Sequence, residues 1–244
     1  MSKKMQAQTI DEHVREKYAG RTCGGESGML SHFHQLRVDV VKDMIREHVW
    51  KKDTGARVLD IGCNDGTISS QLLKLGIRVC GLDLSAENVR QARERGIDAA
   101  VGNAREKLPF EEGYFDVVFA GEIIEHLYDP EAFTREVRRV LRPGGALVLT
   151  TPNLASLGNR MRLLLGRYPK LMSPYLSEGM GDHIHMFTVD TLERLFVKTG
   201  FFLTDISSSS ISLSKEGFGP PYFPLLAGLC PSLGDLLIAK GQKI

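Results

Sequence analysis

The sequence predicts a doubly wound α/β fold with a mostly parallel sheet and helices on both faces. Three observations carry that prediction. From residue 57 onward, short apolar runs alternate with helical patterns. The first run ends in an acid and enters a glycine-containing turn that opens a helix. A second acid, Asp83, ends the next run just over twenty residues downstream of the first, as in doubly wound nucleotide-binding folds. At 244 residues and 42% apolar, the chain can bury the core of one large domain.

The elements follow in order. A helical pattern covers about Leu36 to Trp50, with Leu36, Val40, Val41, Met44, Ile45 and Val49 at helical spacing and no obvious chemistry. Residues 57–62 form the first strand. Asp65 to Leu75 forms a helix that stops near Gly76. Residues 78–85 form the second strand, and Ser85 caps a helix over 86–95. The third strand covers 97–103 and the fourth 114–122. Pro130 and Pro143-Gly144-Gly145 bracket a helix over 131–141. The fifth strand covers 146–153, a helix runs from Thr188 to Thr199, and the sixth strand covers 201–207. Asp235 to Ala239 supplies a seventh. Residues 1–54 therefore read as an N-terminal helical extension. Residues 55–244 read as the domain, with insertions at about 154–187 and 208–234. Such long connections in a compact domain act as lids or binding segments, and their place is the carboxyl edge of the sheet, where ligands bind in open α/β folds.

Composition excludes several classes. Lys+Arg (31) and Asp+Glu (30) nearly cancel, so there is no global basic footprint for nucleic acid. The four cysteines, Cys23, Cys63, Cys80 and Cys230, form no CxxC pair and read as free thiols, neither a disulfide framework nor a zinc site. No apolar run approaches the length of a membrane span, and the N-terminal segment holds no apolar leader core. The expectation is a cytoplasmic protein.

The first turn, Val58-Leu59-Asp60-Ile61-Gly62-Cys63-Asn64-Asp65-Gly66, carries the strongest chemical signal. Gly62 lets a ligand approach the backbone, and Asn64 tolerates a left-handed conformation. A dinucleotide site would use this turn to hold pyrophosphate. An acid at the strand end suits an ammonium group better, so Asp60 could hold the amino group of an amino-acid cofactor. Asp83 is placed to accept hydrogen bonds from two ribose hydroxyls, a feature that nicotinamide enzymes share. Asn103-Ala104, at the end of the third strand, could border an adenine ring.

These residues resemble the class I (Rossmann-like) S-adenosylmethionine-dependent methyltransferases, in particular the type 11, ubiquinone-pathway O-methyltransferase-like group. The resemblance covers about residues 55–206 and rests on VLDIGCNDG, GLDLS, GNA, FDVVFAGEIIEH and LRPGGALVLTTPN, in that order and spacing. It implies a seven-stranded sheet whose last strand is antiparallel, and S-adenosylmethionine as cofactor. It implies that Asp60 and Gly62, with Cys63 and Asn64 in the same turn, hold the methionine part. Asp83, with Leu84 beside it, takes the ribose, and Asn103 and Ala104 lie near adenine. Ala120 and Glu122 stand beside the sulfonium. The turn departs from the family pattern at Asn64, where a glycine is usual.

Methyl transfer needs an aligned nucleophile and a dry site, and a base or metal only where the nucleophile is a hydroxyl or a protonated amine. If residues 122–127 turn into helix, Glu122, Glu125 and His126 share one face. They could bind a divalent cation, or His126 could act as a general base oriented by a carboxylate. His183, with His185 nearby after the first insertion, could add a histidine over the same edge. Similar E-x-x-E-H arrangements in ubiquinone-pathway O-methyltransferases and small-RNA 3′-end methyltransferases imply metal-assisted O-methylation. Many relatives carry the Glu-His pair without a metal, and no residue is assigned as a metal ligand here. Tyr18, His32, His34 and Arg37 could form a lid, but read more simply as surface residues.

Residues 154–176 contain Arg160, Arg162, Arg167 and Lys170 and no acid, with Leu154, Leu157, Met161, Leu164 and Leu165 at helical spacing. A basic amphipathic helix suits a peripheral membrane contact or an anionic substrate, or packs on its own domain with a solvated basic face. Phe218, Tyr222, Phe223, Leu225 and Leu226 in the second insertion could line an apolar pocket or a homodimer contact. The expectation is O-methylation of a small-molecule or lipid- or glycan-linked acceptor. The rivals are an RNA 3′-end 2′-O-methyltransferase, a nicotinamide oxidoreductase and a non-catalytic module with a relic cofactor pocket.

Overall fold

The structure is a computed structural model that describes residues 32–50, 55–171, 183–212 and 222–244. Tyr18, Cys23, Asp182 and Phe218 lie outside the described residues. The chain builds one seven-stranded sheet: β1 (Arg57–Ile61), β2 (Arg78–Asp83), β3 (Asp98–Val101), β4 (Phe115–Gly121), β5 (Leu141–Pro152), β6 (Phe201–Ser208) and β7 (Leu236–Lys243). The strand order is β3-β2-β1-β4-β5-β7-β6. β1 to β5 pair in parallel, and β7 pairs antiparallel with both β5 and β6. The sheet is therefore mixed, where the sequence reading had it mostly parallel.

Helices cover both faces. On one face α1 (His32–Val49) and α2 (Thr67–Leu73) share an apolar cluster with Val58, Val117, Val148 and Ile238. α3 (Ala86–Glu94) packs beside them through Val89 and Ala92. On the other face α4 (Pro130–Val140) and α6 (Val189–Lys198) bury Phe133, Val137, Leu192 and Phe196 against Leu59, Val118 and Leu147. Two short helices, α5 (Leu157–Leu164) and α7 (Pro224–Leu229), belong to the insertions.

The caps follow the sequence. Ser85 accepts from the Asn88 amide at 3.3 Å, and Asp129 accepts from the Ala132 amide at 2.8 Å with Pro130 as the first helical residue. Thr188 and Thr191 close a reciprocal capping box at the start of α6. Several boundaries differ from expectation, three of them on strands for evident physical reasons. β5 starts at Leu141, five residues early, because Phe115 already pairs with Leu141 and a register shift then carries the chain past Pro143-Gly144-Gly145. β7 runs on to Lys243, because ladders on both sides hold its polar end where no apolar pattern marks it. β3 stops at Val101, short of 103, and gives way to the Gly102-Asn103 turn.

α1 starts at His32, a turn earlier than its apolar spacing indicates. It is no separate extension in space, since Val38, Val41, Met44 and Ile45 enter the same core as the sheet.

Gly66 closes the first turn at φ +79°, and a Cβ there would lie 2.9 Å from the Ala92 backbone on α3. Both strain and overlap oppose a side chain. Gly66→Ala is expected to lower the unfolding free energy by about 1–3 kcal/mol, read by urea denaturation. An unchanged midpoint at unchanged slope would contradict this account of the turn.

Candidate functional site

Parallel register sets the site. Asp60 pairs with Gly81 on one side and Phe119 on the other, so β1, β2 and β4 end together. Their carboxyl ends open into a cavity of about 430 Å³, a size suited to a small-molecule ligand. Asp60, Gly62, Cys63, Asn64, Asp83, Leu84, Asn103, Ala104, Glu122 and His126 all line it. Ala120 does not. It is fully buried in the core, because alternation turns its side chain away from the wall formed by Phe119 and Gly121.

The turn after β1 takes the shape its residues allow. Asn64 sits at φ 49°, the left-handed region that asparagine tolerates. Its amide donates to Asp83 Oδ2 at 2.9 Å, while the Ser85 amide and Asn88 side chain donate to Oδ1. Asp83 is thus oriented at the lip of the pocket. A Cβ on Gly62, at φ +75°, would overlap the Ile123 side chain, so this glycine serves close packing across the cavity.

Asp60 is 2% exposed and accepts a 2.5 Å hydrogen bond from Ser69 Oγ. Burial pushes its carboxyl up to about 7; Ser69 and Arg37 pull it down, and Asp83 adds to the rise. Arg37, on α1, is itself 4% exposed and lies 3.5 Å from Glu122 Oε1. Its Nε is buried without a hydrogen-bond partner. The same end of the cavity therefore holds a carboxylate seeking a cation and a guanidinium with a spare donor. An amino-acid zwitterion satisfies both.

At the opposite wall the chain leaves β4 through Glu122, held at φ 56°, a strained angle for a side-chain-bearing residue. Thr150 Oγ1 donates to Glu122 at 2.8 Å. The expected helix is a single 3-10 turn, Ile124–His126. It does not set Glu122, Glu125 and His126 on one face. Glu122 faces the cavity with Arg37, whereas Glu125 is fully buried behind the wall. Burial first, and Glu122 second, push the Glu125 carboxyl well above the usual range. Thr151 donates to one Glu125 oxygen at 3.1 Å, and the other, Oε1, is buried without a partner.

His183 completes a different triple. One ligand atom each from Glu125, His126 and His183 lie within 4.8 Å of one another. The His126 and His183 rings meet edge to face at 4.8 Å. His183 Nδ1 donates to the Leu171 carbonyl at 2.7 Å, which leaves Nε2 as the acceptor or ligand atom of the neutral ring. The amides of Ile184 and His185 donate to the Glu125 carbonyl at 2.9 and 3.1 Å. The end of the first insertion is thereby pinned to the turn after β4. His185 reaches the Tyr128 carbonyl at 3.4 Å rather than the cavity.

His34 and Arg37 are two of the four residues that read from the sequence as a lid or, more simply, as surface. Both line the cavity, and burial with Arg37 lowers the His34 imidazole to about 4. The signal was present in the helix. Arg37 stands four, seven and eight residues before Val41, Met44 and Ile45, so it lies on the buried face. Arg105 also lines the cavity, donates to the His126 carbonyl at 3.2 Å and stacks on Tyr128.

A family model described as a methyltransferase domain matches residues 32–206, from the start of α1 into β6. A ubiquinone biosynthesis O-methyltransferase of Xanthomonas oryzae is 42% identical over 105 residues, 41% of this chain and 44% of that protein. The match thus spans less than half the length of that relative. A ubiquinone biosynthesis O-methyltransferase of Chelativorans is 26% identical over 192 residues, covering 74% of this chain and 75% of the relative. Among solved structures, an S-adenosylmethionine-dependent methyltransferase of Methanosarcina mazei superposes with a TM-score of 0.60 at 21% identity, over 82% of this chain and 97% of that one. That likeness concerns the fold.

Asp60 generates a pH prediction. Its folded value near 7 lies above its unfolded value near 3.8, so its stabilising share is complete below about pH 4 and is lost as pH rises through 7. The loss is at most on the order of 4 kcal/mol. The thermal midpoint of the protein should fall between about pH 4 and about pH 7, and Asp60→Asn should flatten that decline. A flat wild-type profile would remove the buried carboxylate from the account.

Proposed function

The chain belongs to the methyltransferase-domain family and is an S-adenosylmethionine-dependent methyltransferase, and from that premise we propose that it methylates a hydroxyl oxygen of a small-molecule or lipid- or glycan-linked acceptor. One observation carries the choice of oxygen: Glu125, His126 and His183 converge within 4.8 Å next to the cavity. A neutral amine needs no such cluster, whereas a hydroxyl must lose a proton as it attacks. The name shared by the Xanthomonas and Chelativorans relatives supports the same reading.

Bound in the cavity, S-adenosylmethionine supplies an electrophilic methyl whose leaving group is a neutral thioether. The residues present fit it. Asp60 accepts from its ammonium, and Arg37 offers its unpartnered Nε to its carboxylate. Asp83, already oriented by three donors, takes the ribose hydroxyls, and Asn103 and Ala104 border the base. Glu122 faces the same cavity, and its ion pair with Arg37 fixes where the methionine end stops.

His126 lines the cavity and receives the acceptor proton, with Glu125 and His183 behind it to orient the ring. The same three residues fit a divalent cation, since Glu125 Oε1 is buried without a partner and one ligand atom from each lies within 4.8 Å of the others. A cation there would lower the acceptor hydroxyl pKa and fix its approach. Phe119, Ile123 and Leu127 line the cavity and keep water from the reacting centre.

Two measurements test this reading. Arg37→Ala and Asp83→Ala should each weaken S-adenosylhomocysteine binding by about tenfold or more in calorimetry, whereas His126→Ala should lower turnover by about 100-fold with that affinity nearly unchanged. An unchanged rate in His126→Ala would remove it from catalysis. Chelator treatment should lower turnover, with recovery on adding a divalent cation, if Glu125, His126 and His183 hold one. Unchanged turnover after chelation assigns the proton to His126 alone.

A further inference from the structure

α5 (Leu157–Leu164) inverts the usual packing of a helix. The residue it buries is polar, Asn159, while Leu163 and Leu164 stand in solvent. An amide taken out of water is tolerated only through the hydrogen bonds it makes there. Asn159 Nδ2 donates to the Asn153 carbonyl at 3.2 Å, and its Oδ1 accepts from the Lys170 amide at 2.7 Å. These two partners fix which way the side-chain amide faces, since a carbonyl only accepts and a backbone N–H only donates. Asn159 is not among the residues that line the cavity, so any effect it has there passes through others.

The bonds run on to the transfer site. Asn153, just past β5, is the fixed end. It is buried, its amide donates to the Asp235 carbonyl at 2.9 Å, and its side chain donates to the Ser232 and Gly234 carbonyls at 3.0 and 2.8 Å. Leu171, next after Lys170, is the working end. It stands at φ 62°, a conformation that a leucine keeps only where its surroundings hold it. Its carbonyl accepts from His183 Nδ1 at 2.7 Å, so that nitrogen carries a proton. The His183 ring in turn meets His126 edge to face at 4.8 Å. Arg162 on α5 also donates to the Tyr168 carbonyl at 2.7 Å, but that bond lies at the surface, where water competes.

We propose that Asn159 is a positioning residue: through the Lys170 amide it holds the Leu171 carbonyl in place, and so fixes both the proton on Nδ1 and the direction of the His183 ring. With that carbonyl displaced, either ring nitrogen can carry the proton of the neutral imidazole. The Ile184 and His185 amides anchor the neighbouring backbone on the Glu125 carbonyl, which holds the chain but not the ring. The bearing of Asn159 on methyl transfer rests on the part proposed for His183 behind His126. A histidine in the wrong tautomer lowers turnover while cofactor affinity is kept.

NMR of the imidazole nitrogens reads the tautomer directly, with His183 assigned by His183→Gln, chelator present, and a pH at which free histidine is neutral. The parent should show His183 with its proton on Nδ1. Asn159→Leu, similar in shape but without either side-chain hydrogen bond, should show a mixture with the Nε2–H form. Asn159→Asp, which keeps the acceptor for the Lys170 amide, should retain the parent tautomer. Turnover should fall about tenfold or more in Asn159→Leu and recover most of that loss in Asn159→Asp, with S-adenosylhomocysteine affinity nearly unchanged in both. Should Asn159→Leu fail to fold, Asn159→Ala gives the same comparison. The parent tautomer persisting in the Leu or Ala variant would overturn the proposal, as would an Asp variant that behaves like the Leu variant. Cofactor affinity that falls in step with turnover would overturn it too, leaving Asn159 as a support of the fold alone. A changed tautomer at unchanged turnover would uphold Asn159 as the residue that sets the ring, and would instead remove His183 from the reaction.

Discussion

A carboxylate shut away from water is tolerated only where donors or a positive charge stand close to it. Asp60 at the end of β1 meets that constraint incompletely: one hydroxyl from Ser69, and Arg37 nearby but tied to Glu122. Much of the cavity's construction follows from this. Asn64 takes a left-handed conformation just past the strand end, and α1, packed on the sheet through its apolar face, turns its arginine to the cavity. A cationic amino group placed beside Asp60 would offset the cost of burying its charge.

The fold was legible because its signals are local. A strand that ends in an acid, a turn containing Gly62, a cap at Ser85 and a helix start at Pro130 each act within a few residues. The strand count and order of elements followed from them. The strand ends were less visible, because β5 and β7 are lengthened by partners distant in sequence and Phe115 with Leu141 makes the difference. That Asp60, Asn64 and Asp83 share one cavity was legible for the same local reason, since they lie on one turn and the strand beside it. Ala120 shows the limit. Whether a strand-end residue points to the cavity or the core is a matter of alternation, and a shift of one position reverses it.

The transfer half was harder to read because its members come from separated segments. Three residues in E-x-x-E-H invite the assumption of a helix face, but the left-handed Glu122 breaks that geometry and a single 3-10 turn follows. The result is a division of labour. Glu122 turns to Arg37 and the cofactor end, while Glu125 turns inward to His126 and His183. Arg37 reads more simply as surface than as lid because a charged residue in an N-terminal helix is usually solvated. Its position on the face of Val41 and Ile45 outweighs that prior.

The placement of Arg37 on α1 has a thermodynamic consequence. The guanidinium that faces the ligand stands on the first described helix, while the opposing carboxylates stand on strands in the middle of the chain. Undocking of that helix from the sheet and release of the ligand are then linked equilibria, each favouring the other. With the cavity filled, amide exchange in residues 34–46 would slow even though only His34 and Arg37 of that helix line it. A protease cut between residues 50 and 55 would leave the sheet whole while severing the covalent tether that keeps this wall of the pocket at high effective concentration.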